Sequence, residues 1–410
     1  MERLACGWRG AEGKFFPAFQ HERRSPARGD QMTDQAVGQT SWQRPATPYE
    51  EFCAVQGVPI YRELLGVHDV RELELGPWDR LGGRGAIIDL EGTGGYLGMY
   101  LVEVPPGGSL APERHLYEEV CYVIEGRGTT EVWADGGNRQ VFEWGKDSVF
   151  SPPMNTWHRF INATNAPALI LVGSNAPPIM ELFRDEEFIF GTPHHFKHRY
   201  DAADSYFDAW DELATDDLSR RALHSGALVP DAANCYVPPD GQRGSGHRHF
   251  FLYMSGNYFR GFIAEYPVGK YSKTHAHDAG PVLVCLAGQG YTLTWPKTAG
   301  TTPWRDGKEH LVRRQDYQTG GVVSAAPGGE WFHAHFGVSG DRFRVMALLG
   351  GYPKRTQGPP GSTVVHVNRD IKQGGNTIEY RDEDPMIRSL FEQALAEVGG
   401  TIDMPAELYQ

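Results

Sequence analysis

The sequence predicts an all-β protein with two copies of one β domain, a partly helical linker between them and a C-terminal helix. With 410 residues, the chain is longer than a single core usually supports, so we expect two domains. Its 50 Gly and 28 Pro residues separate short apolar runs, and this punctuation is typical of short strands joined by turns. One stretch of the chain also repeats 162 residues further on.

This internal repeat relates residues 101–133 to residues 263–295 without a gap. Nine of the 33 positions are identical, and the glycines expected at turns stay in register. The identical pairs are Glu103 and Glu265, Pro105 and Pro267, Gly107 and Gly269, His115 and His277, Val120 and Val282, Gly126 and Gly288, Gly128 and Gly290, Thr130 and Thr292, and Trp133 and Trp295. The repeat therefore predicts a duplicated β domain.

The segments follow from where strand signals start and stop. In chain order we expect a disordered N-terminal segment at 1–45, a first β domain at 46–177, a partly helical linker at 178–245, a second β domain at 246–370 and a C-terminal extension at 371–410. The linker helix is predicted at Ser205 to Leu223, with acidic residues toward its start and arginines at its end. The terminal helix is predicted at Pro385 to Val398, before two glycines.

Charge and composition exclude several classes of partner. The 39 Lys and Arg residues against 52 Asp and Glu give a net charge of −13, which offers no overall attraction for nucleic acid. No apolar run reaches the roughly 18 residues that cross a bilayer, and no signal peptide is apparent, so we expect a cytoplasmic protein. The five cysteines are scattered and lack a Cys-x-x-Cys pair, which favours reduced thiols over disulfides or a Cys-based zinc site.

In the second copy, four histidines have the spacing of metal ligands. His275 and His277 are two residues apart, so on a strand both rings point to the same side. His333 and His335 repeat this spacing downstream, and we expect His333 to be the third ligand in preference to His335. Three neutral imidazoles would leave a divalent ion with open positions and its full charge. The alternative is a polar strand facing solvent.

The first copy offers a donor set that is richer in oxygen. His115, Glu119 and His158, with or without Glu113, would suit Mn(II) or Fe(II) better than a soft metal. The alternative is a decayed site in which Glu113 only pairs with Arg114 or another cation.

These motifs resemble the paired signatures of the cupin superfamily, and over roughly residues 85–175 and 250–350 the chain resembles a bicupin. The first signature, Gly-x5-His-x-His-x3-Glu-x6-Gly, departs from the pattern at Glu113 in the first copy and at Pro281 in the second. The second signature matches Gly145, Pro153, Asn155, His158 and Asn162 in the first copy, and Pro327, Gly329 and His333, with one inserted residue, in the second. The resemblance implies two double-stranded β-helix domains of the jelly-roll kind.

The second copy, with three histidines and no Glu, is similar to the gentisate-type ring-cleaving dioxygenases of this superfamily. That resemblance implies Fe(II) held by His275, His277 and His333, with His335 as an acid/base residue. It implies a small, aromatic or aliphatic, hydroxy- or keto-acid substrate together with O2. In the gentisate-type enzymes the iron-bearing cupin is typically the N-terminal one, so the resemblance concerns a type of site.

Two other functions stay open at this level. One is a decarboxylase, lyase or isomerase that depends on Mn(II) or Ni(II), and the other is a metal-stabilised binding or storage protein without turnover. We also expect a homo-oligomer, because cupin barrels commonly associate through sheet edges. Several further residues are predicted to lie outside the site: His194, His195, His247 and His249 as surface or linker residues, and Cys121 and Cys285 as core residues. Arg260, Arg342 and Arg344 flank or lie on second-copy strands, where an inward guanidinium could bind a substrate carboxylate, but we expect each of them to be exposed to solvent.

Overall fold

The computed structural model describes residues 44–209, 212–216, 220–240, 243–277, 280–329, 331–349 and 369–410. The predicted disordered segment at 1–45 lies outside these residues except for its last two positions. The all-β prediction is confirmed, since strands dominate the compact unit that runs from Ala46 to Gln410. No helix in the described part of the chain combines the length and the apolar character needed to cross a bilayer.

The first half of this unit contains the following elements. They are α1 (Pro48–Val55), β1 (Ile60–Leu64), β2 (Gly66–Val67), β3 (Gly76–Trp78), β4 (Gly83–Leu90), β5 (Gly98–Val104), β6 (Glu119–Glu125), β7 (Arg127–Trp133), β8 (Gln140–Gly145), β9 (Val149–Phe150), β10 (Trp157–Ile161), β11 (Ala168–Ser174), α2 (Ala176–Phe183) and α3 (Glu186–Gly191). Most of the strands are short, as the spacing of Gly and Pro predicts.

The second half continues with strands and ends on a helix. Its elements are β12 (Ala214–Thr215), β13 (Ala222–His224), β14 (Leu228–Val229), β15 (Arg248–Leu252), β16 (Arg260–Pro267), β17 (His275–His277), β18 (Val282–Ala287), β19 (Gln289–Pro296), β20 (Arg313–Gln318), β21 (Val322–Ser324), β22 (Trp331–Gly337), β23 (Arg342–Leu349) and α4 (Pro385–Glu397).

Each half forms one barrel from a large and a small sheet. In the first barrel an eight-stranded sheet, ordered β1-β4-β5-β11-β6-β9-β14 with β3 beside β4, accompanies the three-stranded sheet β10-β7-β8. In the second barrel the eight-stranded sheet β12-β13-β15-β16-β23-β18-β21-β2 accompanies the four-stranded sheet β17-β22-β19-β20. Both barrels therefore have the two-sheet jelly-roll architecture that the repeat and its signatures predict.

Glycines of the repeat make the same turn in both barrels. Gly126 joins β6 to β7 with φ of 88°, and Gly288 joins β18 to β19 with φ of 83°. A residue with a Cβ would be strained in this left-handed conformation. A Cβ on Gly126 would also approach Ala168 Cβ to 2.6 Å, and one on Gly288 would approach Arg342 O to 2.2 Å. The repeat keeps these glycines because the chain passes from the large sheet to the small one there.

One short strand crosses from the first barrel's side to the second barrel, and the two large sheets share an apolar core. Strand β2, which precedes the first barrel, pairs with β21 of the second, and β14, which follows the first barrel, pairs with β9 of the first. One buried apolar cluster takes side chains from both eight-stranded sheets. Members from the first barrel are Met99, Leu101 and Tyr122, and members from the second are Phe250, Met346 and Leu348. The large sheets thus form the contact between the barrels, and the interior of each barrel remains separate.

The linker helix predicted at Ser205 to Leu223 is wrong. The described residues of that segment contain strands β12 and β13, which pair with each other, and β13 continues the second barrel's large sheet beside β15. The charge pattern that suggested a helix carries little energy against sheet pairing. Helices α2 and α3 lie earlier, directly after β11.

The predicted C-terminal helix is present as α4. Asp384 caps it by accepting a hydrogen bond from Met386 N at 3.0 Å, and Pro385 occupies its first turn. Its apolar face contributes Ile387, Phe391 and Leu395 to a cluster that covers the four-stranded sheet of the second barrel. The helix therefore covers that sheet on the side away from the barrel interior.

Candidate metal centres

In the second barrel, three histidines converge from two neighbouring strands. His275 on β17 lies directly opposite His333 on β22, and their Nε2 atoms are 3.1 Å apart. His277 lies two residues further along β17, so its ring points to the same side. One ligand atom from each of the three rings lies within 4.8 Å of the others. The structure thus brings together the three residues that the sequence proposes for this site.

The hydrogen bonds of His275 and His333 fix which ring nitrogen carries the proton. His275 Nδ1 lies 2.9 Å from Lys273 O, and His333 Nδ1 lies 3.1 Å from Trp331 O. A carbonyl oxygen can only accept, so each Nδ1 donates and each neutral ring leaves a bare lone pair on Nε2. Burial, and then neighbouring positive groups, hold the pKa of both imidazoles well below the usual value. Two lone pairs at this distance repel unless a cation lies between them.

His335 stands beside this group with a different partner. It lies two residues beyond His333 on β22, and its Nδ1 is 2.9 Å from Thr292 Oγ1, which is itself 3.0 Å from the Tyr317 hydroxyl. Burial, with the charges of His277 and Arg243, lowers the pKa of His335 to about 3. The ring is therefore neutral at physiological pH and bonded to a side chain, whereas His333 bonds to the backbone.

In the first barrel, three donor atoms point to one position. His115 Nε2 lies 3.4 Å from Glu119 Oε2, and His158 Nε2 lies 3.8 Å from the same oxygen. Glu113 approaches from a third direction, with Oε1 at 3.9 Å from His158 Nε2. All four side chains are largely buried. The structure therefore brings together the four residues that the sequence proposes for the first copy.

The protonation pattern of the second site recurs here. His115 Nδ1 lies 2.8 Å from Tyr117 O, and His158 Nδ1 lies 3.2 Å from Thr156 O, so each ring, when neutral, has its lone pair on Nε2. Against the effect of burial, Glu119 raises the pKa of His115, so a cation bound here would compete with a proton on that ring. Both Nε2 atoms and Glu119 Oε2 are buried with no hydrogen-bond partner among the described residues. Buried polar atoms without partners are costly, and a divalent cation would satisfy all three. A mixed imidazole and carboxylate set fits Mn(II) or Fe(II).

Glu113 also has a cation of its own. It forms a short ion pair with Arg80, whereas Arg114 pairs with Asp135. Burial acts to raise the pKa of Glu113, but Arg80 and the two imidazoles hold it below its usual value. The cation that neutralises Glu113 is thus Arg80 from the loop after β3, a residue that the sequence alone does not connect to the site.

The equivalence of the two sites can be read from strand register. Glu113 forms a bridge opposite His158, as His275 does opposite His333. On the other side, His158 faces Val132 and His333 faces Thr294, and these partners are separated by the repeat offset of 162. Glu113 and His275 therefore occupy the same position in the two barrels, and so do His158 and His333.

Two histidines predicted as surface residues are buried beside the second site. His247 and His249 are each 4% exposed, and Arg221 is 6% exposed. The His247 ring lies 5.2 Å from Tyr266, whose ring lies 6.3 Å from His335. The surface prediction for these two histidines is wrong because β15 begins at Arg248 and carries them into the barrel wall. Their spacing of two residues is the same as that of His275 and His277. This spacing could have indicated that both rings lie on one face of a strand and point into the barrel.

The arginines considered in the sequence separate into different environments. Arg344 is 3% exposed, which contradicts the expected exposure, and its guanidinium bonds Glu265 and the carbonyls of Ala232 and Cys235. Arg260 lies near Phe251 and Tyr253 and bonds the Tyr253 hydroxyl. These contacts assign Arg344 to the packing of the linker. Cys121 and Cys285 are buried in the cores of the first and second barrels, as predicted.

Comparison with known proteins gives a family match within the first barrel. The cupin domain family model matches residues 100–173, which span β5 to β11 of the first barrel. No functionally curated protein matches the sequence significantly. Among solved structures, the chain is similar to oxalate decarboxylase of Bacillus subtilis. A substitution mutant of that enzyme is 11% identical, with 71% of this chain and 78% of that chain covered and a TM-score of 0.43. A deletion mutant is 12% identical, with coverage of 70% and 77% and a TM-score of 0.43.

Proposed function

We propose that the chain is a bicupin and a metal-dependent enzyme that acts on a small organic acid at the three-histidine site of its second barrel. One observation carries the proposal: two buried Nε2 lone pairs, on His275 and His333, face each other at 3.1 Å. Neither ring is readily protonated, because burial lowers both pKa values. A divalent cation is the partner that relieves this repulsion.

The donor set indicates what such an ion could do. Three neutral imidazoles would hold it through His275, His277 and His333 and leave coordination positions open. A bound divalent ion would supply Lewis acidity and, as Fe(II), redox chemistry with O2. The chain's own contribution is to hold the two Nδ1–H groups against backbone carbonyls, so that the rings keep the required orientation.

His335 is our candidate for handling protons. Its ring lies 5.4 Å from His333 and 6.3 Å from His275, measured between ring centroids, and it is neutral at physiological pH. The contact with Thr292, which continues to Tyr317, orients the ring and gives a short hydrogen-bonded path for a proton. We therefore assign His335 as the residue that exchanges a proton with the bound acid.

We infer a dioxygenase as the first candidate reaction, in line with the resemblance to three-histidine cupins. A reaction without net oxidation, such as decarboxylation, elimination or isomerisation, is the second candidate. It is favoured by the first barrel, where Glu119 and two imidazoles aim partnerless buried atoms at one point. The oxygen-rich set there suits Mn(II). A non-catalytic binding protein is the function that remains if the metal supports no turnover.

Metal analysis of the purified chain is the experiment that tests this proposal. Wild type is expected to carry about two equivalents of divalent metal, and His275→Ala and His158→Ala about one each. Incubation with a panel of aromatic hydroxy-acids and 2-keto acids then separates the reactions, because O2 uptake identifies a dioxygenase and anaerobic CO2 release identifies a decarboxylase. Equal metal content in wild type and His275→Ala would refute the assignment to the second barrel.

A further inference from the structure

The strand that carries His275 and His277 is held along both of its edges. One edge of β17 pairs with β22, where His275 lies opposite His333. Along the other edge, His275 lies opposite Thr377 in an antiparallel bridge to the C-terminal extension. A strand of three residues makes few bonds, so its position depends on both neighbours. We call residues 376–383, which follow this second edge, the C-terminal strap.

The strap holds the backbone on either side of His275. The amide of Ala276 donates to the Asn376 carbonyl at 2.9 Å. The amide of Ile378 donates to the Thr274 carbonyl at 2.8 Å. These bonds engage the peptide groups that precede and follow His275, so they restrict its φ and ψ angles. Because the direction of a Cα–Cβ bond follows from the backbone, the strap helps to set where this imidazole points.

The strap also holds the segment that leads into β17. Glu379 forms an ion pair with Lys273 at 2.6 Å, and the carbonyl of Lys273 is the group that accepts from His275 Nδ1. The Tyr380 hydroxyl donates to the Tyr271 carbonyl at 2.7 Å. The strap therefore contacts the ligand strand, the residues before it and the residue that orients the first imidazole.

The strap has its own anchors in the second barrel. Ile378 is fully buried in the cluster that α4 forms on the four-stranded sheet. Thr377 donates its amide to the Arg369 carbonyl at 3.0 Å, and its carbonyl accepts from Ile371 N at 2.7 Å. A tight turn precedes these bonds, and a Cβ on Gly375 would approach the Arg369 carbonyl oxygen to 2.0 Å. The position of the strap is thus fixed by packing and by this turn as well as by β17.

The first barrel shares the earlier part of this arrangement. Lys273 N donates to the Arg243 carbonyl at 2.9 Å, and Ala111 N, 162 residues earlier, donates to the Leu81 carbonyl at 2.7 Å. In the described part of the chain, the isolated bridges of residues 109–113 run to β10. The strap is therefore an addition to the repeated fold, and it lies at the three-histidine site.

We propose that the C-terminal strap is a positioning element that holds His275 and His277 in the orientation that binds a divalent metal. The assignment rests on the proposed function, which it deepens by naming what aligns the ligands. Disturbing the groups that orient metal ligands typically costs tenfold to a hundredfold in metal affinity. The coupling is reciprocal, so a strap that favours metal binding is itself stabilised by the bound metal.

The first test needs no variant of the strap. Amide hydrogen exchange of the full-length chain is measured by mass spectrometry with and without Co(II). We expect Co(II) to slow exchange in residues 376–383 about tenfold in wild type and to have little effect there in His275→Ala, which lacks one ligand of the second site. Unchanged exchange in the strap of fully loaded wild type would overturn the proposal.

Two adjacent glycines give a matched pair of variants for the second test. Gly375→Ala places a Cβ against the Arg369 carbonyl and should displace the strap. Gly374→Asn adds a side chain where no atom lies within 4 Å, and asparagine tolerates its φ of 76°. Both are made in the His158→Ala chain, so that Co(II) reports the second site. We expect Gly375→Ala to bind Co(II) about tenfold or more weakly and to change its visible absorption, and Gly374→Asn to match the parent.

The absorption of bound Co(II) separates positioning from mere structural support, because it reports the geometry of the ligands. Parent-like affinity and absorption in Gly375→Ala would overturn the proposal, even if its melting temperature falls. If Gly375→Ala does not fold, the exchange measurement on wild type decides.

The same experiments separate the strap from the proposed function. If Co(II) protects the strap and Gly375→Ala weakens Co(II) binding, but no acid of the substrate panel is turned over, the proposed function fails and the positioning role stands. If turnover requires His275 but Gly375→Ala binds Co(II) like its parent, the positioning role fails and the proposed function stands.

Discussion

The two barrels hold a carboxylate and an imidazole at the same position of the same fold. Glu113 stands opposite His158 in the first barrel, and His275 stands opposite His333 in the second. In the first, Glu113 neutralises Arg80, and Glu119, against the effect of burial, raises the pKa of His115. In the second, burial is the main cause that lowers the pKa of His275 and His333. The exchanged side chain is thus the ion-pair partner of Arg80 in the first barrel and a proposed neutral metal ligand in the second.

This difference suggests a division of roles. A site whose charges are balanced internally can hold a metal for stability, as we expect in the first barrel. A site whose three ligands are all neutral leaves the full charge of a bound metal available to attract an anionic substrate. The difference between Glu113 and His275 therefore bears on function through the charge that the ligands leave on a bound metal.

The strongest way to break the comparison is to exchange the two residues. His275→Glu replaces a neutral imidazole ligand with a carboxylate, and it so lowers the charge that a bound metal presents to an anionic substrate. We expect turnover to fall about a thousandfold, since metal and electrostatic effects are each worth several kcal/mol. The measurement is steady-state turnover with metal content determined on the same samples.

The matched variant is Glu113→His in the first barrel. It should leave turnover within about twofold, because the reaction is assigned to the other barrel. If His275→Glu remains active and Glu113→His does not, the roles of the two barrels are the reverse of those we infer.

A second prediction concerns the C-terminal cover that only the second barrel has. Glu383 is 4% exposed and accepts a short hydrogen bond from Tyr271, and burial raises its pKa from 4.5 to about 8. The folded chain thus keeps this proton where the unfolded chain loses it. The stability gained is fully present below pH 4.5 and is lost as the pH rises to about 8. At about 1.4 kcal/mol per pKa unit, a few kcal/mol are at stake.

Urea unfolding at pH 5 and pH 8 measures this effect. Wild type should lose a few kcal/mol between the two values beyond what Glu383→Gln loses, since the amide cannot ionise. Glu379→Gln is the control. Glu379 lies on the same segment as Glu383, but it is half-buried and forms an ion pair with Lys273. A pH dependence in Glu383→Gln as steep as that of wild type would show that this carboxyl is not the cause.

The sequence could predict the parts of the molecule that depend on local spacing and on the repeat. Strand alternation alone predicts that the His275 and His277 rings point to the same side. Turn glycines such as Gly126 and Gly288, kept in register by the repeat, predict the duplicated architecture. One residue is inserted before His333 relative to the signature, so the sequence alone does not fix which strand face this histidine occupies. The pairing of β22 with β19 in the structure fixes it. The ligand spacing was accessible from the sequence, since it needs no knowledge of distant contacts.

The lining of the second barrel could not be predicted because it depends on pairing between distant segments. His247 and His249 are buried only through the register of β15 on β16, and Arg80 reaches Glu113 across 33 residues of chain. The linker helix was predicted wrongly for the same reason, as β13 forms by joining β15. Charged and polar residues near a linker look like surface residues until a sheet encloses them.

A third prediction sharpens the comparison from the side of the first barrel. Glu119→Gln removes a carboxylate whose Oε1 accepts a hydrogen bond from the Tyr100 hydroxyl at 3.0 Å and whose Oε2 faces both imidazoles. We expect first-site metal affinity to fall tenfold to a hundredfold or more, with the second site unchanged. Competition with a metal-binding dye, followed on the His275→Ala background, reports the first site alone. An unchanged affinity would mean that the first barrel binds no metal through Glu119.

The smallest expected effect comes from a threonine that the repeat places in both barrels. Thr130 Oγ1 accepts from Trp144 Nε1 at 3.0 Å, whereas its counterpart Thr292 contacts His335 Nδ1 at 2.9 Å. The first is a packing contact, and the second fixes how the proposed proton-handling ring is oriented and protonated. Thr292→Val keeps the shape but removes the contact, so His335 loses its fixed tautomer. We expect kcat to fall a few-fold with metal content unchanged.

Thr130→Val is the control for this last variant, and it should leave kcat unchanged while costing about 1 kcal/mol of stability for a lost buried hydrogen bond. The informative measurement is the pH profile of kcat, since a mere packing defect at Thr292 would lower activity equally at every pH. A change in the profile of Thr292→Val, absent from Thr130→Val, ties the threonine to proton transfer through His335. Parallel pH profiles in both variants would show that His335 does not transfer a proton, and that another group does.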